Sequence, residues 1–136
     1  MTGDGMKGSC LCGEIQYEVA ALASPIMHCS CMTCRKAHSA AFNTAAAVKK
    51  TDFRWLKGET LLSHFDSSPG KIRSFCSHCG TQLIKTKADS DDIVLRVGSL
   101  DDDPGVKPQA RIWHSHEVPW LDYSTDIPTY EEWKLD

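Results

Sequence analysis

Seven cysteines are the residues of this chain whose spacing most directly indicates chemistry. Thiolates that lie one to two residues apart can bind one soft metal ion, such as zinc or the iron of an iron–sulfur centre, while the backbone stays unstrained. The seven fall into three close-set groups: Cys10 and Cys12; Cys29, Cys31 and Cys34; and Cys76 and Cys79. Because an odd number of thiols suits a disulfide framework poorly, this spacing favours metal ligands over disulfide bonds.

The three groups divide most economically into one site with four thiolates and one with three. Each of the two pairs supplies half of a tetrahedron, and each is followed by a glycine, Gly13 or Gly80, that lets the backbone turn around the sulfur atoms. The triplet lies within six residues and needs no help from distant segments. Structural zinc sites are closed, whereas catalytic ones keep an open position. The pattern therefore predicts a structural zinc at the pairs and a second zinc with an open position at the triplet, with an iron–sulfur centre as the alternative at the four thiolates.

Two histidines keep open the alternative that the triplet is a closed site. His38 follows Cys34 by four residues, which places both side chains on one face of a helix, and His28 is adjacent to Cys29. If either imidazole binds the ion, the second zinc is structural and the case for catalysis fails. We treat His38 as a candidate fourth ligand of the second zinc.

Three further side chains are candidates for contact with a substrate. Arg35 and Lys36 follow the triplet directly and are able to attract a carboxylate, although a solvated helix face explains both equally well. Trp120 is able to form the wall of a pocket, while packing in a core or at its rim is the default for a tryptophan. His114 and His116 lie two apart on a predicted strand and so share a face, for which a surface or core pair is the favoured interpretation.

Hydrophobic periodicity predicts a mainly β fold with one short helix. Alternation of polar and apolar side chains predicts strands at 14–19, 42–48, 61–65, 71–75, 81–85, 93–97 and 110–113. Small and straight-chain residues over 31–41 predict the helix. The clearest hairpin surrounds Cys76 and Cys79, with Gly80 free to adopt a positive φ angle in its turn.

Length and composition indicate one domain and exclude two classes of partner. A chain of 136 residues with a net charge of −3 has no basic stripe able to track phosphates, so we expect no nucleic-acid partner. No apolar run approaches the ~20 residues that span a bilayer, and the start of the chain lacks the apolar core of a signal peptide. We therefore expect no membrane contact and a cytoplasmic location. We assign 1–136 to a single domain whose motifs run from about 8 to 123.

Five segments of the chain together resemble one known family. They are Gly8–Tyr17, His28–Lys36 continuing to Ala41–Phe42, Phe75–Leu83, Val97–Asp101 and Pro119–Trp120. In this order they resemble the glutathione-dependent formaldehyde-activating enzyme family, which also includes centromere protein V. The resemblance implies a β-tent fold, a structural zinc on Cys10, Cys12, Cys76 and Cys79, and a second zinc on Cys29, Cys31 and Cys34. It also implies the family's activity, which joins formaldehyde to the thiol of glutathione and is formally a carbon–sulfur lyase reaction.

A zinc ion with three thiolate ligands carries a net charge near −1 and is a poorer Lewis acid than one bound by neutral histidines. Such an ion suits a substrate thiol, held as its thiolate and offered to an aldehyde carbon, better than it suits the activation of water. We therefore predict a zinc-dependent carbon–sulfur lyase that acts reversibly on a thiol–aldehyde adduct resembling S-hydroxymethylglutathione, with a small-molecule thiol and an aldehyde as its partners. The alternative is a non-catalytic, zinc-stabilised protein-binding module with two structural zincs.

Overall fold

The computed structural model describes residues 5–124 and 126–133, in which ten strands form two sheets beside one α-helix. The strands are β1 (Met6–Ser9), β2 (Gln16–Val19), β3 (Met27–Cys29), β4 (Asn43–Lys49), β5 (Phe53–Lys57), β6 (Leu62–Ser68), β7 (Lys71–Cys76), β8 (Gln82–Lys87), β9 (Asp92–Arg96) and β10 (Ala110–Ile112), and the helix α1 spans Met32–His38. Short 3₁₀ helices cover Lys50–Asp52, Glu59–Leu61, Val97–Ser99 and His114–His116. The mainly β fold that the sequence predicts is therefore confirmed. Across the described ranges, no helix has the length and apolar character needed to cross a membrane.

The two sheets bring the cysteine turns together. The smaller sheet has the strand order β1-β2-β5, and the larger one has the order β10-β3-β4-β9-β8-β7-β6. Neighbouring strands are antiparallel, apart from β10, which runs parallel to β3. Antiparallel neighbours need only short connections, and the cysteine pairs occupy two of these. Cys10 and Cys12 lie between β1 and β2, while Cys76 ends β7 and Cys79 lies in the turn to β8.

The apolar core contains residues of both sheets and is built around Tyr17. Its ring is fully buried, stacks on Phe53 with the ring centres 5.1 Å apart, and meets Trp55 edge-on at 6.2 Å. The Tyr17 hydroxyl shares a hydrogen bond with the Ser99 hydroxyl at 2.6 Å, so its polar end is satisfied inside the core. Gly8 makes room for this ring, because a Cβ atom at that position would overlap it.

Side chains alternate across the larger sheet, so its two faces differ in character. Ile84 of β8 and Ile93 and Leu95 of β9 belong to the apolar core. The intervening positions point to the opposite face, where the same two strands carry Lys85 and Arg96. The core face stabilises the fold, and the opposite face is available for a site.

Three strands and one turn differ from the sequence prediction. The strands β1, β3 and β5 lie outside the predicted set. The predicted strand at 110–113 ends at Ile112, and His114–His116 form a 3₁₀ helix. The expectation that His114 and His116 share one strand face is therefore wrong.

Candidate metal centres

Four cysteines from two hairpin turns form one cluster. The Sγ atoms of Cys10, Cys12, Cys76 and Cys79 all lie within 4.8 Å of one another. The sulfurs of Cys10 and Cys12 are 3.5 Å apart, and those of Cys12 and Cys76 are 3.8 Å apart. Four sulfurs bound tetrahedrally at the usual Zn–S distance of about 2.3 Å are about 3.8 Å from one another, whereas a disulfide needs about 2.05 Å. The cluster therefore fits a tetrahedral zinc ion, and all seven cysteines are free of disulfide bonds.

The two cysteine turns have the same backbone construction. The Gly13 N–H donates to the Cys10 carbonyl at 3.0 Å, and the Gly80 N–H donates to the Cys76 carbonyl at 2.8 Å. Both glycines have a φ angle of 80°, which is strained for any residue with a Cβ atom. The Ile15 N–H also donates to the Cys10 sulfur at 3.3 Å, a contact of the kind that stabilises a thiolate ligand. The glycine after each pair is thus required by the turn.

The other three cysteines meet where β3 leads into α1. The Sγ atoms of Cys29, Cys31 and Cys34 all lie within 4.8 Å of one another, and Cys29 and Cys34 are buried. Cys31 is the N-cap of α1, and its sulfur accepts a hydrogen bond from the Cys34 N–H at 3.4 Å. Ser39 ends the helix in the left-handed conformation with a φ angle of 50°, and its N–H donates to the Arg35 carbonyl. This short helix therefore holds two of the three sulfurs in place.

Two polar side chains of the larger sheet donate to the Cys34 sulfur. Asn43 Nδ2 lies 3.4 Å from it and Arg73 Nη2 lies 3.6 Å from it. Burial favours the neutral thiol of Cys34, but hydrogen bonds from Arg73 and from the neighbouring cysteines lower its pKa to about 7. Burial raises the pKa of Cys29 to about 12, so Cys34 ionises at lower pH than Cys29. The sequence contains no local signal for Asn43 or Arg73, because they are 9 and 39 residues from Cys34.

The two histidines considered as ligands do not join this cluster. Within the described ranges, the group of ligand atoms that are all within 4.8 Å of one another contains the three cysteines alone. His28 Nδ1 hydrogen-bonds with Thr44 Oγ1 at 2.9 Å. His38 Nε2 is buried without a hydrogen-bond partner, and burial together with the charges of Arg96 and Arg73 lowers the pKa of His38 to about 4. The geometry therefore gives the triplet three protein ligands.

A cavity of about 690 Å³ opens beside the triplet. The three cysteines of the triplet line this cavity, together with Asn43 and Arg73. The four cysteines of the other cluster do not line it. A volume of that size holds a small-molecule ligand. The three-thiolate cluster is therefore the one that borders this cavity.

The predicted substrate contacts Arg35, Lys36 and Trp120 are not among the residues that line this cavity. Lys36 is exposed on α1, and Trp120 is 69% exposed. Trp113 and His116 line the cavity instead. The sequence contains no signal for this placement, because the parallel pairing of β10 with β3 is a contact between distant segments.

Mild chelation is expected to remove one zinc ion and to leave the fold intact. An ion at the triplet would have three protein ligands and would border a cavity, while one at the two pairs would have four ligands from two hairpins. Element analysis before and after treatment with EDTA, with circular dichroism of the same samples, measures both effects. Loss of both ions together, with unfolding, would show that the triplet is as firmly closed as the four-thiolate cluster.

Comparison with known proteins agrees with the geometry of these centres. Residues 5–116 match the family model described as glutathione-dependent formaldehyde-activating enzyme. The fold is similar to that of a Rhodobacter sphaeroides protein solved as a Northeast Structural Genomics target, with a TM-score of 0.63 and 24% sequence identity. That match covers 78% of this chain and 98% of the other, and at this identity it supports the fold alone. Because the family match spans most of the chain and includes all three cysteine groups, the chain belongs to the glutathione-dependent formaldehyde-activating enzyme family.

Proposed function

We propose that this protein is a zinc-dependent carbon–sulfur lyase that acts reversibly on the adduct of a small thiol with an aldehyde, of the S-hydroxymethylglutathione type. The observation that carries the proposal is that the three-thiolate cluster borders a cavity of ligand size, which the four-thiolate cluster does not line. Membership of the family supports glutathione and formaldehyde as the first substrates to test. Two zinc ions per chain, a cytoplasmic location and a single domain over 1–136 complete the proposal.

The reaction breaks or forms one carbon–sulfur bond. In the cleavage direction the electron pair of that bond moves to sulfur, the hydroxyl proton of the adduct passes to water, and the carbon becomes the carbonyl carbon of the aldehyde. In the opposite direction the thiolate attacks that carbon and water returns the proton to oxygen. A zinc ion on Cys29, Cys31 and Cys34 supplies, when bound, a soft Lewis acid that favours the thiolate form of the substrate.

Side chains of the larger sheet orient the three-thiolate cluster and form the cavity wall beside it. Asn43 and Arg73 donate hydrogen bonds to the Cys34 sulfur and so hold its orientation. Ala45 and Ala47 of β4 also line the cavity, and their small side chains let a ligand approach the sheet closely. A rigid wall that holds the sulfur and the carbonyl carbon near each other lowers the barrier in both directions without moving the equilibrium.

The protein is expected to accelerate exchange between free formaldehyde and its glutathione adduct. In a near-equilibrium mixture of glutathione and ¹³C-labelled formaldehyde, magnetisation transfer between the two ¹³C signals measures the exchange rate. Zinc-loaded wild-type protein should raise this rate by about tenfold or more, since it binds both reactants in one cavity. Cys31→Ala should return the rate to that of the mixture without protein, because the triplet is then incomplete.

Two measurements separate catalysis from the other interpretations. Circular dichroism must show that Cys31→Ala is folded. His38→Ala should keep the wild-type rate if His38 is a bystander, whereas zinc should loosen at the triplet if His38 is a ligand. Should the wild type accelerate exchange with neither glutathione nor any other small thiol, the lyase proposal is wrong. The zinc-stabilised, non-catalytic protein-binding module is then the better account.

A further inference from the structure

One face of the larger sheet presents five cationic side chains to the cavity beside the triplet. They are Lys71 and Arg73 of β7, Lys85 and Lys87 of β8, and Arg96 of β9. The strand register aligns Arg73 with Lys85 and Lys71 with Lys87, so like charges lie directly opposite each other, which destabilises a sheet. Of the described residues, those that line the cavity include no aspartate or glutamate. The cavity wall therefore lacks a carboxylate to balance this face.

Arg73 and Arg96 are the buried members of this cationic face, and each is 4% exposed. Each guanidinium uses one nitrogen for a protein contact: Arg73 Nη2 lies 3.6 Å from the Cys34 sulfur, and Arg96 Nη1 donates to Asn43 Oδ1 at 3.3 Å. The other donors, Nε and Nη1 of Arg73 and Nε and Nη2 of Arg96, are buried without a hydrogen-bond partner. Buried charged donors without partners are costly, so four of them on one cavity wall indicate a ligand that accepts hydrogen bonds.

The thiolate cluster balances only part of this positive charge. Three thiolates with one divalent zinc carry a net charge near −1, against the five cations of the wall. The uncompensated positive charge also lowers the pKa values of the cations. Burial together with the charges of Arg96 and Arg73 lowers the pKa of Lys85, and burial together with Arg73 lowers the pKa of Arg96 to about 10. The buried, unpartnered donors of Arg73 and Arg96 therefore favour a second anion beyond the cluster.

We propose that Arg73 and Arg96 form a receptor for an oxyanion group of the substrate, a carboxylate or a phosphate, so that the cavity takes anionic thiols. The planar guanidinium fork matches such a group with two parallel hydrogen bonds. The burial and the unpartnered donors of the two arginines support the receptor. Its assignment to a thiol substrate rests on the proposed function, because the contact of Arg73 with Cys34 places the receptor next to the triplet.

Anions without a thiol test the receptor independently of catalysis. Glutarate and inorganic phosphate are titrated separately into zinc-loaded wild-type protein while NMR follows the arginine Nε–H signals. We expect the signals of Arg73 and Arg96 to shift with at least one of the two anions. The anion that binds more tightly shows whether the receptor prefers a carboxylate or a phosphate. If neither anion shifts either signal in the wild type, the receptor does not exist.

Variants of Arg96 test the same binding by the removal of donors. Arg96→Gln should lower the affinity for the more tightly bound anion by about tenfold or more. Arg96→Lys should keep part of that affinity because it keeps the charge. Lys50→Gln removes one exposed charge outside the cavity and should leave the affinity unchanged. An equal loss of affinity in Lys50→Gln and Arg96→Gln would show that anion binding depends only on the net charge of the protein. The receptor proposal would then be wrong.

A pair of thiols that differ in charge tests the assignment to the substrate. In the formaldehyde exchange measurement, we expect wild-type protein to favour 3-mercaptopropionate over 2-mercaptoethanol by about tenfold, or a phosphate-bearing thiol where phosphate is the tighter anion. Arg96→Gln should lose this preference, with a larger fall in rate for 3-mercaptopropionate than for 2-mercaptoethanol and with the zinc content of the wild type. A loss of zinc, with equal loss of rate for both thiols, would mean that Arg96 only stabilises the cluster.

The receptor and the lyase activity fail in different ways. Arginine signals that shift with an anion, without exchange for any thiol, would refute the lyase proposal and the thiol assignment and would leave an anion site. Equal exchange with both thiols, without any arginine shift, would refute the receptor and leave the lyase proposal intact.

Discussion

Cys76→Ala is expected to give protein that does not fold. Cys76 is fully buried at the end of β7, and its sulfur lies 3.8 Å from that of Cys12, which is 64 residues away in the chain. A structural zinc contributes roughly 10–16 kcal/mol of apparent folding free energy, whereas the net stability of a whole domain is only about 5–15 kcal/mol. Loss of one of the four ligands therefore weakens a contribution that is as large as the net stability. Soluble yield and the thermal transition in circular dichroism measure the effect.

Cys31→Ala is the matched comparison, since it also removes one thiol from a cysteine cluster. The triplet lies within six residues of the chain, so its loss unlinks no distant segments. We expect this variant to fold with a stability loss of about 1 kcal/mol, the usual contribution of an N-cap side chain. A native melting curve for Cys76→Ala would show that the four-thiolate cluster does not support the fold.

Gly58→Ala is expected to lower the free energy of unfolding by about 2–5 kcal/mol, although it touches no metal ligand. Gly58 has a φ angle of 79°, a conformation that costs an L-residue about 1–2 kcal/mol. A Cβ atom at this position would also overlap the backbone carbonyl of Glu14, and backbone moves aside less easily than a flexible side chain. Urea unfolding of the zinc-loaded protein measures the loss.

Gly105→Ala separates the two causes. Gly105 has a φ angle of 76°, but a Cβ atom there would meet nothing within 4 Å. This variant should therefore lose only the conformational cost of about 1–2 kcal/mol. If Gly58→Ala and Gly105→Ala lose the same stability, the contact with Glu14 contributes nothing.

The sequence by itself determined the three cysteine turns, and their count of four plus three indicated how the seven cysteines divide. Each pair and its following glycine form a turn whose hydrogen bonds lie within a few residues, as in the bond from the Gly80 N–H to the Cys76 carbonyl. The triplet is local as well, because Cys31 caps the helix that contains Cys34. Strands β7 and β8 were predicted for the same reason, since a hairpin is specified by its own alternation and turn.

Only the tertiary structure decided what surrounds the triplet. Alternation along β7 and β8 shows that Arg73 and Lys85 share a face, but polar positions of this kind are typical of a face in contact with solvent. That face becomes the wall of a cavity because Cys34 of α1 and Trp113, after β10, lie at its border. The contact of Arg73 with Cys34 joins residues 39 positions apart. Periodicity specifies the two faces of a strand, whereas the element that covers a face is chosen by packing between distant segments.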